Sequence, residues 1–358
     1  MLRQKSIFTR VAGMALIAGA VFSSQAQAAA VDGTFTPLIT AGALPDTPNA
    51  HIDPNTPSSA YSGVVSINIR YDGQSFLCSG ALVGKRQVIS AGHCVDSDGN
   101  GHLVDINKPG NDVRVVFNSN GNVNALITAS KISMNPNYNG FGKCPAGVNS
   151  FCVNDDISVI TLSQDAPASA KIYSISGNPV TSGTHIIMAG YGTTGDGVNG
   201  YQSGSASFTK KRTGENYIDL FDGDDEQNFA GPNEVYYADF DGGGKDTFCT
   251  QYGVCTPQLA NNKESGIGAG DSGGPSFITD PTTGELLLVA NNTFSGTFTG
   301  QTPGTFGTYF GGILLASYIP YLVEATGGQI NVVPEPGSIM MLGLGLGMLL
   351  IARRRSKM

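Results

Sequence analysis

The chain reads as an all-β domain over residues 52–327, and three features of the sequence point there. Glycine, at 49 of 358 residues alongside 18 prolines, is well above its usual share and favours short strands joined by turns. Apolar or alternating stretches of strand length recur between Gly, Asp and Asn. Helical periodicity is absent until Ser317–Glu324, where SYIPYLVE can form a short closing helix.

The elements follow in order. Residues 1–28 read as a secretory signal: Arg3, Lys5 and Arg10 precede an apolar run from Val11 to Phe22, then SSQAQAAA. Small residues allow cleavage after Ala28 or as late as Ala30, and the apolar run is short for a stable membrane span. Residues 29–51, rich in Pro, Ala, Thr and Asn, read as a leader or propeptide. From Tyr61 the strand candidates begin with VVSINIR, SFLCSGALVG, QVISA and DVRVVF. They continue with ISVITL, HIIMAG, EVYYADF, LLLVA and the run through Gly311 to Leu315. Two inserts interrupt them: Lys108–Asn154, containing CPAGVNSFC, and the acidic Glu215–Ala260, ending in CTQYGVC. Neither has enough continuous apolar sequence for a core of its own. The end, 328–358, is a linker followed by VPEP, the apolar run 338–352 and three arginines.

Charge narrows the partners. Outside the basic ends, residues 31–330 hold 13 basic and 27 acidic side chains, a net of −14. No basic patch offsets that repulsion, so nucleic acid is an unsuitable partner. The six cysteines match an exported chain in an oxidising compartment. Proximity in sequence pairs Cys78 with Cys94, Cys144 with Cys152 and Cys249 with Cys255, although six cysteines allow other connectivities. No C-x-x-C pair or H-E-x-x-H motif is present, so thiol redox chemistry and catalytic zinc have no support.

The sharpest internal signal is GDSGGP at 270–275. Its start also satisfies G-x-S-x-G, the nucleophile elbow of α/β-hydrolases, but that fold needs a histidine after the serine. The four histidines, at 51, 93, 102 and 185, all precede Ser272. A serine hydroxyl is a weak nucleophile; it needs an imidazole to take its proton and an acid to orient that imidazole. His93 in SAGHC and Asp156, which opens DISVITL, supply those types, with Asp155 the neighbouring alternative.

CSG at 78–80, SAGHC at 90–94, DDISVITL at 155–162 and GDSGGP together resemble the trypsin-like, chymotrypsin-fold serine proteases. The resemblance implies a double six-stranded antiparallel β-barrel with a short C-terminal helix. It implies His93 as general base, Asp156 as its orienting acid and Ser272 as nucleophile, with the Gly270 and Ser272 amides as oxyanion hole. It also implies that Cys78–Cys94 braces the histidine loop. A freed N-terminal amine would pair with Asp271; counting back from the first strand puts it at Ile52, although no basic residue precedes that bond. The specificity pocket would have Gly266 as its uncharged floor, with Glu264 close by and a wall near Thr293–Ser295. The family's cysteine just before GDSGGP is missing.

The terminal VPEP, apolar run and arginine cluster resemble the bacterial PEP-CTERM sorting signal. That likeness implies export by a Gram-negative cell and processing at its envelope, with sorting and maturation proteases as partners and only transient membrane association. Asp239, Asp241 and Asp246 in DFDGGGKD offer oxygen ligands for a structural calcium ion, without the full EF-hand spacing; the chemistry itself requires no cofactor. The expected function is that of an exported serine endopeptidase acting on peptides or proteins, made as a zymogen. The alternatives are an esterase with the same residues, or a catalytically silent β domain for adhesion or matrix assembly.

Overall fold

A computed structural model of the chain describes residues 29–30 and 39–334. The signal at 1–28 and the apolar run at 338–352 lie outside the described residues. Six strands make the first barrel: β1 Val64–Tyr71, β2 Gln74–Leu82, β3 Gln87–Ser90, β4 Asp112–Ser119, β5 Asn122–Met134 and β6 Ser158–Leu162. They run β2-β1-β4-β5-β6-β3, and β3 closes the ring by pairing with β2. Two tight hairpins set this register. Asp72-Gly73 and Asn120-Gly121 both turn with positive φ at each central residue, the backbone twist that strands joined by two residues require. Along β1, Val65, Ile67 and Ile69 fill the barrel with Leu82, Val88, Val113 and Ile160. The alternate face of β1 is buried too, and there Ser66 Oγ donates to the Phe208 carbonyl at 2.7 Å.

The second barrel uses β7 His185–Gly190, β8 Lys211–Tyr217, β9 Asn233–Asp239, β10 Pro275–Thr279, β11 Leu286–Gly296 and β12 Tyr309–Leu314. One bent run of chain closes it. β8 pairs with β7, then continues through Leu220–Gly223, which pairs with β9; at the bend the Asp219 amide donates to the Tyr237 carbonyl at 2.9 Å. Another apolar cluster, including Leu77, Ile89, Val159, Tyr191, Phe277, Leu288, Ile313 and Leu322, welds the barrels to each other. Leu322 comes from the closing helix, α2 Ile319–Thr326, which follows the short α1 Thr247–Tyr252. Gly327, with φ +63°, ends α2 by donating to the Glu324 carbonyl.

The sheet departs from the expected pattern at three places. Ser174–Ser176 pairs in parallel with β11 and with Val332–Val333, so the sheet is not purely antiparallel and the folded domain extends beyond residue 327. Residues 39–51 of the expected leader are built into the second barrel together with the edge strand that follows them. Ile39, Thr40 and Ala41 are fully buried, and Ile52–Asp53 adds an edge strand to β8. Lys211 and Arg212, buried on β8, hold this segment by donating to Asn55 Oδ1 at 2.6 Å and to the Pro48 carbonyl. The three disulfides join Cys78 to Cys94, Cys144 to Cys152 and Cys249 to Cys255, as proximity in sequence suggested.

Candidate active site

The cleft between the barrels receives one chemical group from each of three strand boundaries. His93 follows β3, Asp156 precedes β6, and Ser272 precedes β10. Asp156 is fully buried and clamps the histidine twice: Oδ1 accepts the His93 main-chain N–H at 2.7 Å, and Oδ2 lies 2.7 Å from Nδ1. That leaves Nε2 as the outward nitrogen, buried and without a hydrogen-bond partner. Asp155 points elsewhere, into a group of carboxylates with Asp225, Glu226 and Glu234. The other histidines are occupied away from the cleft: His51 by Asp46, His102 by Asp98 and His185 by Glu215.

The serine segment is drawn against the histidine loop. The Ser272 carbonyl accepts the Ser79 amide at 2.8 Å and lies 3.7 Å from Cys94 Sγ, the residue beside His93. Gly273 permits this approach. Its φ is +78°, and a Cβ there would collide with Ser90 Oγ and the Ser79 carbonyl. A hydrogen bond from Ser272 to Nε2 is not formed. The Gly270 and Ser272 amides donate to no group among the described residues, whereas the neighbouring amides of Asp271, Gly273 and Gly274 do. Phe141, delivered by the Cys144–Cys152 insert, packs edge-on against the imidazole at 5.7 Å.

Asp271 is fully buried, and its two oxygens accept the amides of Gly192 at 2.7 Å and Gly268 at 2.9 Å. Burial pushes it up to about 7 against the pull of those amides and of Arg212. The expected partner Ile52 is not brought to it. Ile52 pairs with Arg212 on the barrel edge and donates to the Asn49 carbonyl at 3.4 Å. The residue nested between the loops that hold Asp271 is Ile39. Its carbonyl accepts Thr194 Oγ1 at 2.6 Å, the Ala41 amide donates to Gly195 O at 3.0 Å, and the Thr40 amide donates to Gly266 O at 3.3 Å. Between Ile39 and the first barrel strand lie a turn-rich stretch and the edge strand Ile52–Asp53, so counting back from that strand reaches Ile52 first. The signal available was Ile-Thr-Ala-Gly, a run of small and apolar residues narrow enough to thread between two loops.

Gly266 is buried, and its N–H and carbonyl both bond the Thr40 hydroxyl. Glu264 does not reach inward: Oε1 and Oε2 accept the Leu259 and Asp241 amides, each at 3.0 Å. Tyr201 went unnoticed in the sequence. Its hydroxyl donates to Ile267 O at 2.6 Å and lies 3.2 Å from Ser295 Oγ, so it ties the stretch beside the expected pocket floor to the expected wall. Asp239, Asp241 and Asp246 do converge, with one oxygen of each within 4.8 Å of the others. Much of their capacity is already used. Asp239 accepts the Thr247 and Phe248 amides, and Asp246 caps α1 through the Cys249 amide and accepts from Gln258. Asp241 Oδ1 alone is buried without a partner, and burial with like charges around it raises that carboxyl.

A family model described as Trypsin matches residues 52–310, well over half of the chain. The chain belongs to the trypsin family. This trypsin-family chain also matches a PEP-CTERM protein-sorting motif at residues 332–356, which points to export and cell-envelope sorting in bacteria. Most of that motif lies outside the described residues, and among the described residues no helix is long and apolar enough to cross a membrane. Two human proteins are similar: "Putative trypsin-6", 29% identical over 138 residues, and "Serine protease 1", 30% identical over 132 residues. Each alignment covers 36% of this trypsin-family chain, and the chain spans 46% and 44% of those relatives' lengths.

Proposed function

We propose that this trypsin-family chain is an exported serine endopeptidase that cleaves peptide bonds through an acyl-enzyme. The observation that carries the reading is the doubly clamped His93–Asp156 pair beside the GDSGGP segment. Asp156 holds Nδ1–H, which leaves Nε2 with the lone pair that takes a proton from Ser272 Oγ as it attacks the scissile carbonyl. The tetrahedral oxyanion is received by the Gly270 and Ser272 amides. Imidazolium then protonates the leaving amine, the C–N bond breaks, and water, activated by the same nitrogen, releases the acid. Gly266 gives the pocket a small uncharged floor, which suits an uncharged side chain.

The activating terminus in this proposal is Ile39 rather than Ile52. Cleavage before Ile39 frees an amine beside the loops that already present Asp271, and a cation there relieves a buried carboxylate. The sorting motif supports export by a Gram-negative cell with C-terminal processing at the envelope.

A fluorophosphonate probe tests the chemistry: it should label the wild-type protein and spare Ser272→Ala and His93→Ala. An unlabelled wild type with a verified mature terminus would favour the silent binding domain instead. Cleavage of a peptide library by wild type, against Ser272→Ala, separates endopeptidase from esterase. N-terminal sequencing of the active form should begin at Ile39, and activity in a form that retains the residues before it would refute the activation proposal.

A further inference from the structure

The residue before Asp156 belongs to a second constellation that the catalytic reading does not use. Asp155, Asp225, Glu226 and Glu234 each bring one carboxylate oxygen within 4.8 Å of the others. They come from three separate stretches: the turn before β6, the loop between Gly223 and β9, and the start of strand β9. Three of them are at least nine-tenths buried, with exposures of 3% for Asp155, 2% for Asp225 and 8% for Glu234. Asp225 Oδ1 is buried with no hydrogen-bond partner.

We propose that these four carboxylates form a binding site for a divalent cation of the calcium type, which ties the 224–234 loop to the turn that presents Asp156. Oxygens bound to one calcium ion at about 2.4 Å can be no more than about 4.8 Å apart, and all four lie within that limit of one another. The donor set is entirely oxygen, which suits a hard cation and offers nothing to a thiophilic one. Local donors meet only part of the demand: Asn154 Nδ2 donates to Glu234 Oε2 at 2.8 Å, and the Tyr318 hydroxyl, which accepts the Asp155 main-chain N–H at 2.9 Å, also interacts with the Asp155 and Glu234 carboxyls. Beyond burial, the strongest influences on Asp155 and Asp225 are other carboxylates of the cluster. Asp155 is raised to about 8 by burial and then by Glu226, Glu234 and Asp225, and Glu234 to about 7 chiefly by burial. A cation converts that mutual repulsion into ligation. The Asp239 cluster also holds an unpartnered buried oxygen, on Asp241, but the oxygens of Asp239 and Asp246 are largely taken up by amides at the start of α1.

The bound ion acts as a positioning element for catalysis. Asp155 has φ +63°, a left-handed conformation that is costly for a non-glycine residue, and its carbonyl accepts the Ile157 amide at 2.6 Å. Fixing its side chain fixes the peptide from which Asp156 reaches His93. The site does not depend on the catalytic reading, because Ser272→Ala keeps every ligand.

The test uses the full exported chain carrying Ser272→Ala, stripped with a chelator and titrated with calcium chloride. Unfolding temperature and calorimetric binding are read together, with terbium luminescence excited through tyrosine as a third signal. The expected result is a calcium-dependent rise in unfolding temperature, with affinity at least about tenfold weaker in Glu226→Gln and Asp225→Asn. Glu226 is exposed, so Glu226→Gln folds even where the buried Asp225→Asn does not. Asp241→Asn, in the other cluster, should keep this binding. Absence of binding at millimolar calcium, or equal affinity in the parent and Glu226→Gln, would overturn the site.

Discussion

Thr40 grips Gly266 from both sides of one peptide stretch: its hydroxyl accepts the glycine N–H at 2.7 Å and donates to the glycine carbonyl at 3.1 Å. Both groups are buried; without the hydroxyl the glycine N–H loses its partner, while the carbonyl keeps the Thr40 amide at 3.3 Å. Thr40→Val, which keeps the shape, should cost about 1–3 kcal/mol in urea unfolding. Because Gly266 is the expected pocket floor, kcat/KM should fall with it, and Thr40→Ser should recover most of both. Unchanged stability in Thr40→Val would show that the leader segment is a loose passenger.

Asp271 gives the uncleaved chain a distinctive pH dependence. Its carboxyl sits at about 7 in the fold against 3.8 as the ordinary value, chiefly through burial. The folded state therefore binds more protons than the unfolded state between these values. Its stability is fullest below the lower value and falls as pH rises through the upper one, by on the order of a few kcal/mol. Asp271→Asn should flatten this slope in Ser272→Ala protein. Cleavage before Ile39 should flatten it too, since an adjacent amine favours the carboxylate. Stability measured by denaturant at several pH values checks both.

Asp156→Asn should leave the fold intact and reduce kcat by about 10⁴-fold, because an amide can hold the imidazole in the wrong tautomer. Single-turnover acylation with an activated ester measures this loss directly. A fall of less than tenfold would remove the carboxylate from the mechanism.

Tyr201→Phe tests the tie between the stretch beside the pocket floor and the wall. The Ile267 carbonyl would lose its 2.6 Å donor, and stability should drop by about 1 kcal/mol. A looser wall should broaden the accepted side chains, read as a flatter profile in a peptide library. An unaltered profile would take Tyr201 out of specificity.

Removing the Cys144–Cys152 bridge by a double serine substitution should cost roughly 2–3 kcal/mol, from the short loop it closes in the unfolded chain. The insert also presents Phe141 to His93, so activity should fall further than in a variant lacking Cys249–Cys255. Thermal unfolding and peptide turnover of the two variants side by side make the comparison.

The local chemistry was readable along the chain. Period-two apolar stretches and the Asp-Gly and Asn-Gly turns specify strands and hairpins because those preferences act between near neighbours. His93, Asp156 and GDSGGP stood out because each motif is contiguous. Short-range cysteine pairing was legible for the same reason. What the sequence did not contain was the path by which distant segments meet. Ile39 docks beside the Asp271 loops, Glu264 turns away to the Leu259 and Asp241 amides, and Tyr201 ties the stretch beside the pocket floor to the wall from a separate loop. The carboxylate of Asp155 is about seventy residues from those of Asp225, Glu226 and Glu234 and meets them only where the turn before β6 approaches the 224–234 stretch. Burial and mutual repulsion arise from that convergence, so the charge state of Asp155, like the partner of Asp271, is a property of tertiary packing and not of residue type.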